Sequence, residues 1–246
     1  MLNTMEKAHS AMPTKVNDPI NMVGGFRLVP GQYYNQGLDE TVVSDFQGLF
    51  DASIELDPYS PVRVRGMLKI AYDVDSDQIT IKKDQFYLQS ASANSTDGGV
   101  VRRFKVLPEQ ILEHAFFQAV WFKDKELLKD YADQTGMTKL DLSIHFIRYR
   151  VEPGGASYSS PVWLHQDDEP LVFIHLVKLT ENAIGADSVV SGMDDMPTGV
   201  YRLSEPFDTL IVDPTMKHAV TPLGSTGGEA HRDVMLVNLE HSIQQN

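Results

Sequence analysis

The chain of 246 residues contains no cysteine. That excludes disulfides, thiolate zinc sites and a thiol nucleophile. Basic residues are scarce: 21 Lys and Arg stand against 34 Asp and Glu, for a formal net charge of −13. A nucleic-acid binder usually carries a basic footprint that replaces phosphate counterions, and an anionic membrane surface repels an acidic chain. Neither partner is expected, and the pairs Arg63/Arg65, Arg102/Arg103 and Arg148/Arg150 are local exceptions. No apolar run approaches the ~18–20 residues that a membrane-spanning helix needs. The opening MLNTMEKAHSAMPTKVNDPI has no continuous apolar core, so a secretory leader is not expected either. The expectation is a cytoplasmic protein whose oligomeric state the sequence leaves open.

Hydrophobic residues make up 42% of the chain and aromatics 9%, enough for a full globular core. Residues 1–20 are polar and mixed and read as a flexible N-terminal arm. Residues 21–246 read as a single domain, with an N-terminal α/β portion to about 136 and a jelly-roll core over 137–246. Val62 to Val74 looks extended, Asp73 to Asp77 is turn-rich and QITIK follows, which predicts a hairpin. Residues 89–100, QSASANSTDGGV, form a Ser/Asn/Gly loop. Apolar positions from Ile111 to Leu128 have helical spacing, Pro108 suits a first helical turn, and Gly136 ends the run. Beyond it the period changes to two, with Leu140, Leu142, Ile144 and Phe146 alternating. Strand-like segments then recur at 140–151, 161–167, 171–179, 187–191, 200–203, 207–213, 216–221 and 233–240. Many short strands broken by turn residues predict a mainly β, double-sheet jelly roll.

On a strand, residues two apart point to the same face. His165 and Asp167 can therefore aim at one point, and His218, 51 positions after Asp167, can join them from a neighbouring strand. Two histidines and a carboxylate on one side of an iron make the facial triad of non-haem oxygenases and leave open positions opposite. An H-x-[DE] pair alone is weak: eight histidines and 34 acidic residues in this length make about one match expected by chance. A second match does occur, His231-Arg232-Asp233, with only His241 following it. Arg232 adds weight to the triad. It lies 14 residues after His218, on or just before the last strand, and a guanidinium fork one co-substrate length from the metal suits the far carboxylate of a 2-oxo diacid.

The segments Ser159–Pro170 (SSPVWLHQDDEP), Val172–Leu176, His218–Gly224 followed by Arg232-Asp233, and Asp97–Phe104 (DGGVVRRF) carry a family resemblance. From about Ser60 to the C-terminus the chain resembles the bacterial 2OG-Fe dioxygenases that hydroxylate free aliphatic L-amino acids, a group typified by L-isoleucine 4-hydroxylase. The resemblance implies a double-stranded β-helix (jelly-roll, cupin-like) core with flanking N-terminal α/β elements. It implies Fe(II), with 2-oxoglutarate and O2 as co-substrates. Residue by residue, it places His165, Asp167 and His218 on the metal and Arg232 on 2-oxoglutarate. The first fifty or so residues match poorly, and part of the substrate pocket can come from there.

A free amino acid presents a carboxylate and an ammonium, so its pocket needs an arginine and an acceptor. Arg102 and Arg65 are the candidates for the first, Asp168 and Glu169 for the second, with a turn cap before Pro170 as the competing role for at least one of the acids. Trp163 reads as a core residue or a pocket wall, His175 as a barrel-interior histidine, and His145 and His114 as structural. Three other readings stay open. One is the same chemistry on a peptide, a carrier-tethered amino acid or another small metabolite. The second is a cupin-like metal-binding isomerase, which would not need Arg232, and the third is a metal-free jelly-roll binding module.

Overall fold

The structure is a computed structural model that describes residues 20, 22, 24–90, 98–159 and 161–241. The arm expected over 1–20 lies outside these residues except for Ile20, as does 91–97 of the Ser/Asn/Gly loop. In chain order the elements begin with β1 (Phe26–Val29), α1 (Glu40–Ser53), β2 (Glu55–Leu56), β3 (Arg63–Asp73), β4 (Gln78–Ile81) and β5 (Lys105–Val106). A long helix and strand follow, α2 (Ala115–Thr135) and β6 (Lys139–Val151). The remainder is β7 (Leu171–Leu179), β8 (Ala183–Gly185), β9 (Ser188–Ser191), β10 (Pro197–Tyr201), β11 (Thr209–Val212), β12 (Lys217–Val220), β13 (Leu223–Ser225) and β14 (Ala230–Leu239).

One sheet runs β1-β11-β7-β14-β6-β3-β2, with β4 and β5 also paired to β3; a second runs β10-β9-β12, and β13 pairs with β8. The large sheet crosses the expected division at 136, because β3 pairs with β6 from Arg63↔Tyr149 to Asp73↔Lys139. Its two faces bury different things. Leu140, Leu142, Ile144 and Phe146 of β6 join Phe173, Met235 and Val237 under the helices. The alternate residues, Ile147 of β6, Val172, Ile174 and Leu176 of β7 and Val234 of β14, pack against Val190 of the smaller sheet and form the jelly-roll interior. The period-two pattern thus sorts one strand's residues between a helix-packed layer and an inner chamber.

An aromatic stack ties the helices to the sheet. Phe46 of α1 lies 4.1 Å from Phe116 of α2, Phe116 lies 3.9 Å from Phe207, and Phe50 stacks on Phe146 at 4.7 Å. Helix α1 carries little local sequence signal. Val42, Val43 and Gly48 lower its helix propensity, yet Asp39 caps it by accepting from the Thr41 and Val42 amides. Helix α2 starts later than Pro108 suggested. Residues 109–113 form a 3-10 turn, and His114 caps α2 through Nδ1, which accepts from the Phe116 amide at 3.1 Å. Gly136 ends α2 in the left-handed region, φ 69°.

Two expectations need correction. Segment 161–167 is not a strand: residues 161–164 form bends, and only His165 makes a bridge. Pro161 has no amide hydrogen to give a ladder, and Trp163 is 59% exposed, neither core residue nor one of the residues lining the inner cavity. His175 is buried, but on the helix side of the sheet. Its Nε2 lies 2.9 Å from Asp124 Oδ2 of α2, its ring meets Tyr34 edge-on, and Tyr34 OH donates to Asp124 Oδ1.

Candidate active site

His165 and His218 stand opposite each other on an isolated antiparallel bridge that extends the smaller sheet past β12. Asp167, two residues on, returns to the same side. Its Oδ1 lies 3.7 Å from His165 Nε2 and its Oδ2 lies 3.4 Å from His218 Nε2. One donor atom from each of the three residues falls within 4.8 Å of the others. Gln166, between His165 and Asp167, turns away and donates to the Pro214 carbonyl, which ties the segment to the loop before β12. The Trp163 carbonyl sits 2.9 Å from His165 Nδ1. A carbonyl can only accept, so Nδ1 carries the proton and the Nε2 lone pair is left for a metal. Burial pushes His218 down to about 4, against the pull of Asp167, so its imidazole is neutral and able to ligate. Two neutral imidazole nitrogens and a carboxylate are a donor set that suits iron(II).

The three residues line a cavity inside the jelly roll whose opposite wall is the large sheet. Arg232 lines the same cavity at 2% exposure, and its Nε and Nη2 have no hydrogen-bond partner among the described residues. An unpartnered buried guanidinium is costly unless an anion completes it. Burial accordingly pulls its pKa below the usual arginine value. Arg232 is level with Tyr149 on β6, and Tyr149 is level with Arg63 on β3, so the three form one row across the sheet. Arg63 is not a free cation: it pairs with Asp57 at 2.6 Å and also hydrogen-bonds Tyr149.

Arg65 and Arg102 both line this cavity. Their guanidinium carbons sit 5.2 and 4.9 Å from the centroid of the Tyr87 ring. Arg65 Nη2 donates to His145 Nδ1 at 2.9 Å, so the His145 proton is on Nε2, facing Ser143 Oγ. Burial, with neighbouring Arg63 as the next cause, lowers Arg65 to about 10. Arg102 Nη2 donates to Gln89 Oε1 at 3.0 Å. Asp168 is placed elsewhere: both its oxygens accept from Ser90, from the amide at 2.6 Å and the hydroxyl at 2.9 Å, and it is not among the cavity-lining residues. It pins the 89–90 segment to the segment carrying His165 and Asp167. Glu169 is buried instead, accepting from Tyr87 OH at 2.7 Å, and burial with the nearby Asp167 charge pushes its pKa up to about 7.

The second H-x-D match is spent on structure. Asp233 accepts two hydrogen bonds from Arg148, at 2.7 and 2.6 Å, on the opposite face of β14 from Arg232.

The 2OG-Fe dioxygenase family profile matches residues 50–238. The chain belongs to the 2OG-Fe dioxygenase family. It is 33% identical over 232 residues to 3(1)-hydroxy-L-isoleucine 4-dioxygenase of Pantoea ananatis, covering 90% of this chain and 94% of that one. It is 34% identical over 194 residues to L-isoleucine-4-hydroxylase of Bacillus thuringiensis, covering 77% and 79%. Among solved structures, IDO from Bacillus thuringiensis superposes with a TM-score of 0.73 at 28% identity, covering 89% of this chain and 91% of that one. A bsmA homolog from Methylobium petroleophilum shares the fold, with a TM-score of 0.71 at 18% identity over 88% of both chains. As a member of the family, this dioxygenase uses Fe(II), 2-oxoglutarate and O2. No helix among its described residues is long and apolar enough to cross a membrane.

The sequence reading missed several polar groups that line this dioxygenase's cavity: Arg63, Tyr87, Gln89, Tyr149 and Asn238. A signal existed for one of them. Arg63 and Arg65 sit two apart in VRVRG, so both face the same side of a strand that proves to be central. Tyr149 and Asn238 carry no local signal, because their place in the wall depends on pairings far along the chain.

Proposed function

We propose that the enzyme hydroxylates an unactivated C–H bond of a free aliphatic L-amino acid of the Ile/Leu/Met type, with 2-oxoglutarate leaving as succinate and CO2. The observation that carries this reading is one cavity that holds the His165–Asp167–His218 cluster, Arg232 with its unpaired Nε and Nη2, and a second pair of arginines, Arg65 and Arg102. Two separate cationic groups suit two separate carboxylates, one from the co-substrate and one from the substrate. The names of the two isoleucine-oxidising relatives support the amino-acid class. The site of action in this reading is cytoplasmic, and the partner is a small molecule rather than a nucleic acid or a membrane.

In this assignment His165, Asp167 and His218 hold iron(II), and Arg232 takes the far carboxylate of 2-oxoglutarate. Bound iron with its co-substrates supplies the oxidation of the C–H bond. The protein's part is geometry and exclusion of water. Arg65 and Arg102, steadied by the Tyr87 ring, hold the substrate carboxylate. The apolar wall of Ile147, Val172, Ile174, Val234 and Leu236 receives the aliphatic side chain. Succinate release measured across a panel of L-amino acids tests the reading, with Ile, Leu or Met among the best substrates. Turnover confined to peptides or carrier-tethered residues would overturn it.

A further inference from the structure

We infer that Asn238 is the acceptor for the substrate's α-ammonium and so the residue that makes this site select an amino acid over other carboxylic acids. The inference rests on the amino-acid reading above. Asn238 lines the cavity on the same face of β14 as Arg232, six residues further along. At about 3.3 Å per residue that places it roughly 20 Å from the Arg232 row along the strand. Its flanking partners in the sheet are Ser143 and Val172. Asn238 is 4% exposed, and its Oδ1 has no hydrogen-bond partner among the described residues. A buried amide oxygen left unpaired costs about 1–3 kcal/mol, so a donor is expected to complete it when the site fills.

The other side chains of the cavity that can accept a hydrogen bond already have a partner or belong to the histidine–aspartate cluster. Among the described residues that line it, Asp167 is the only carboxylate, and it belongs to the metal cluster. Gln89 Oε1 accepts from Arg102 and Tyr149 accepts from Arg63, while the Tyr87 hydroxyl donates to Glu169 and Ser159 Oγ donates to the Pro161 carbonyl. The four arginines can only donate. Asn238 Oδ1 is, among the described residues lining the cavity, the buried acceptor with no partner of its own.

The test compares L-isoleucine with its des-amino analogue, 3-methylpentanoate, by their perturbation of the visible band of the anaerobic iron(II)–2-oxoglutarate enzyme. This reads binding rather than turnover. The expected result is that Asn238→Leu weakens L-isoleucine by about 10- to 100-fold, the range for a hydrogen bond to a charged group, and leaves 3-methylpentanoate within about twofold. Asn238→Asp, which keeps the acceptor, retains or tightens L-isoleucine and weakens 3-methylpentanoate, and it reads the role independently if the leucine variant does not fold. Equal losses for both ligands in Asn238→Leu, or an Asn238→Asp variant that loses L-isoleucine, overturns the acceptor role alone. A wild-type band that responds to no amino acid overturns the amino-acid reading itself, and the acceptor role with it.

Discussion

His165 and His218 hold each other in place through their backbones: each amide donates to the other's carbonyl, at 3.0 and 2.9 Å. This lone bridge aligns two histidines that lie 53 positions apart in the sequence. It needs no strand on the His165 side, so the Trp163 carbonyl is free to set that ring's tautomer. The two imidazoles are therefore set side by side by the fold itself, with ring centroids 4.4 Å apart.

Removing either imidazole should abolish iron binding, while removing the decoy histidine should not. In thermal unfolding, iron(II) at a hundred times its dissociation constant stabilises a protein by about 2.7 kcal/mol. That gain should vanish in His165→Ala and His218→Ala and persist in His231→Ala, because Asp233 beside it is occupied by Arg148. An unchanged iron response in His218→Ala would refute the assigned ligand set.

Arg65→Met and Arg102→Met should each weaken the amino-acid substrate by about 100-fold, the upper range for losing charge-assisted hydrogen bonds. Both should leave 2-oxoglutarate affinity unchanged, since Arg232 is a separate cation in the cavity wall. Isothermal titration with each ligand separates the two effects. A parallel loss of 2-oxoglutarate would show that these arginines serve the co-substrate.

What was legible in the sequence divides along physical lines. The strands of the inner core were readable from alternation, because a sheet buried on one face against a chamber and on the other against helices keeps period two. Strand β7 matches its expected span of 171–179 end to end. Segment 161–167 was misread because apolar Val162 and Trp163 imitate a strand while lying exposed. Helix α1 was missed because its stability comes from Phe46 and Phe50 packing on distant aromatics rather than from its own propensity. That His165, Asp167, His218 and Arg232 meet in one cavity was legible from their order and spacing, although His165 lies on a lone bridge and His218 and Arg232 lie in different sheets. Asp168 and Glu169 could not be told apart by sequence, since which of two adjacent acids turns inward depends on Ser90 and Tyr87, about 80 positions upstream.

Arg148 should prove structural rather than functional. It neutralises Asp233, whose side chain is 2% exposed, and reaches Asp51 of α1 as well. Arg148→Ala leaves a buried carboxylate uncompensated and should cost about 3–5 kcal/mol. The double variant Arg148→Met/Asp233→Leu, which removes both charges, should recover most of that loss in a urea titration. A double variant as unstable as the single one would contradict this account.

Phe116 joins both helices to the sheet through its stacks with Phe46 and Phe207. Phe116→Ala should cost about 3–5 kcal/mol of stability. Iron and 2-oxoglutarate affinities at a temperature where the variant is still folded should not change, because the stack lies on the face of the sheet opposite the cavity. A loss of co-substrate affinity larger than about threefold there would mean that the two faces are coupled.

The central claim is that the histidine–aspartate cluster and Arg232 bind a metal and its co-substrate together. The direct measurement is an anaerobic titration of the iron(II) protein with 2-oxoglutarate, followed by the weak visible charge-transfer band of the chelate. The account predicts a saturable band in the wild type, retained in Arg103→Ala and weakened by about 100-fold in Arg232→Ala. No band in the wild-type protein, or an undiminished one in Arg232→Ala, would contradict it.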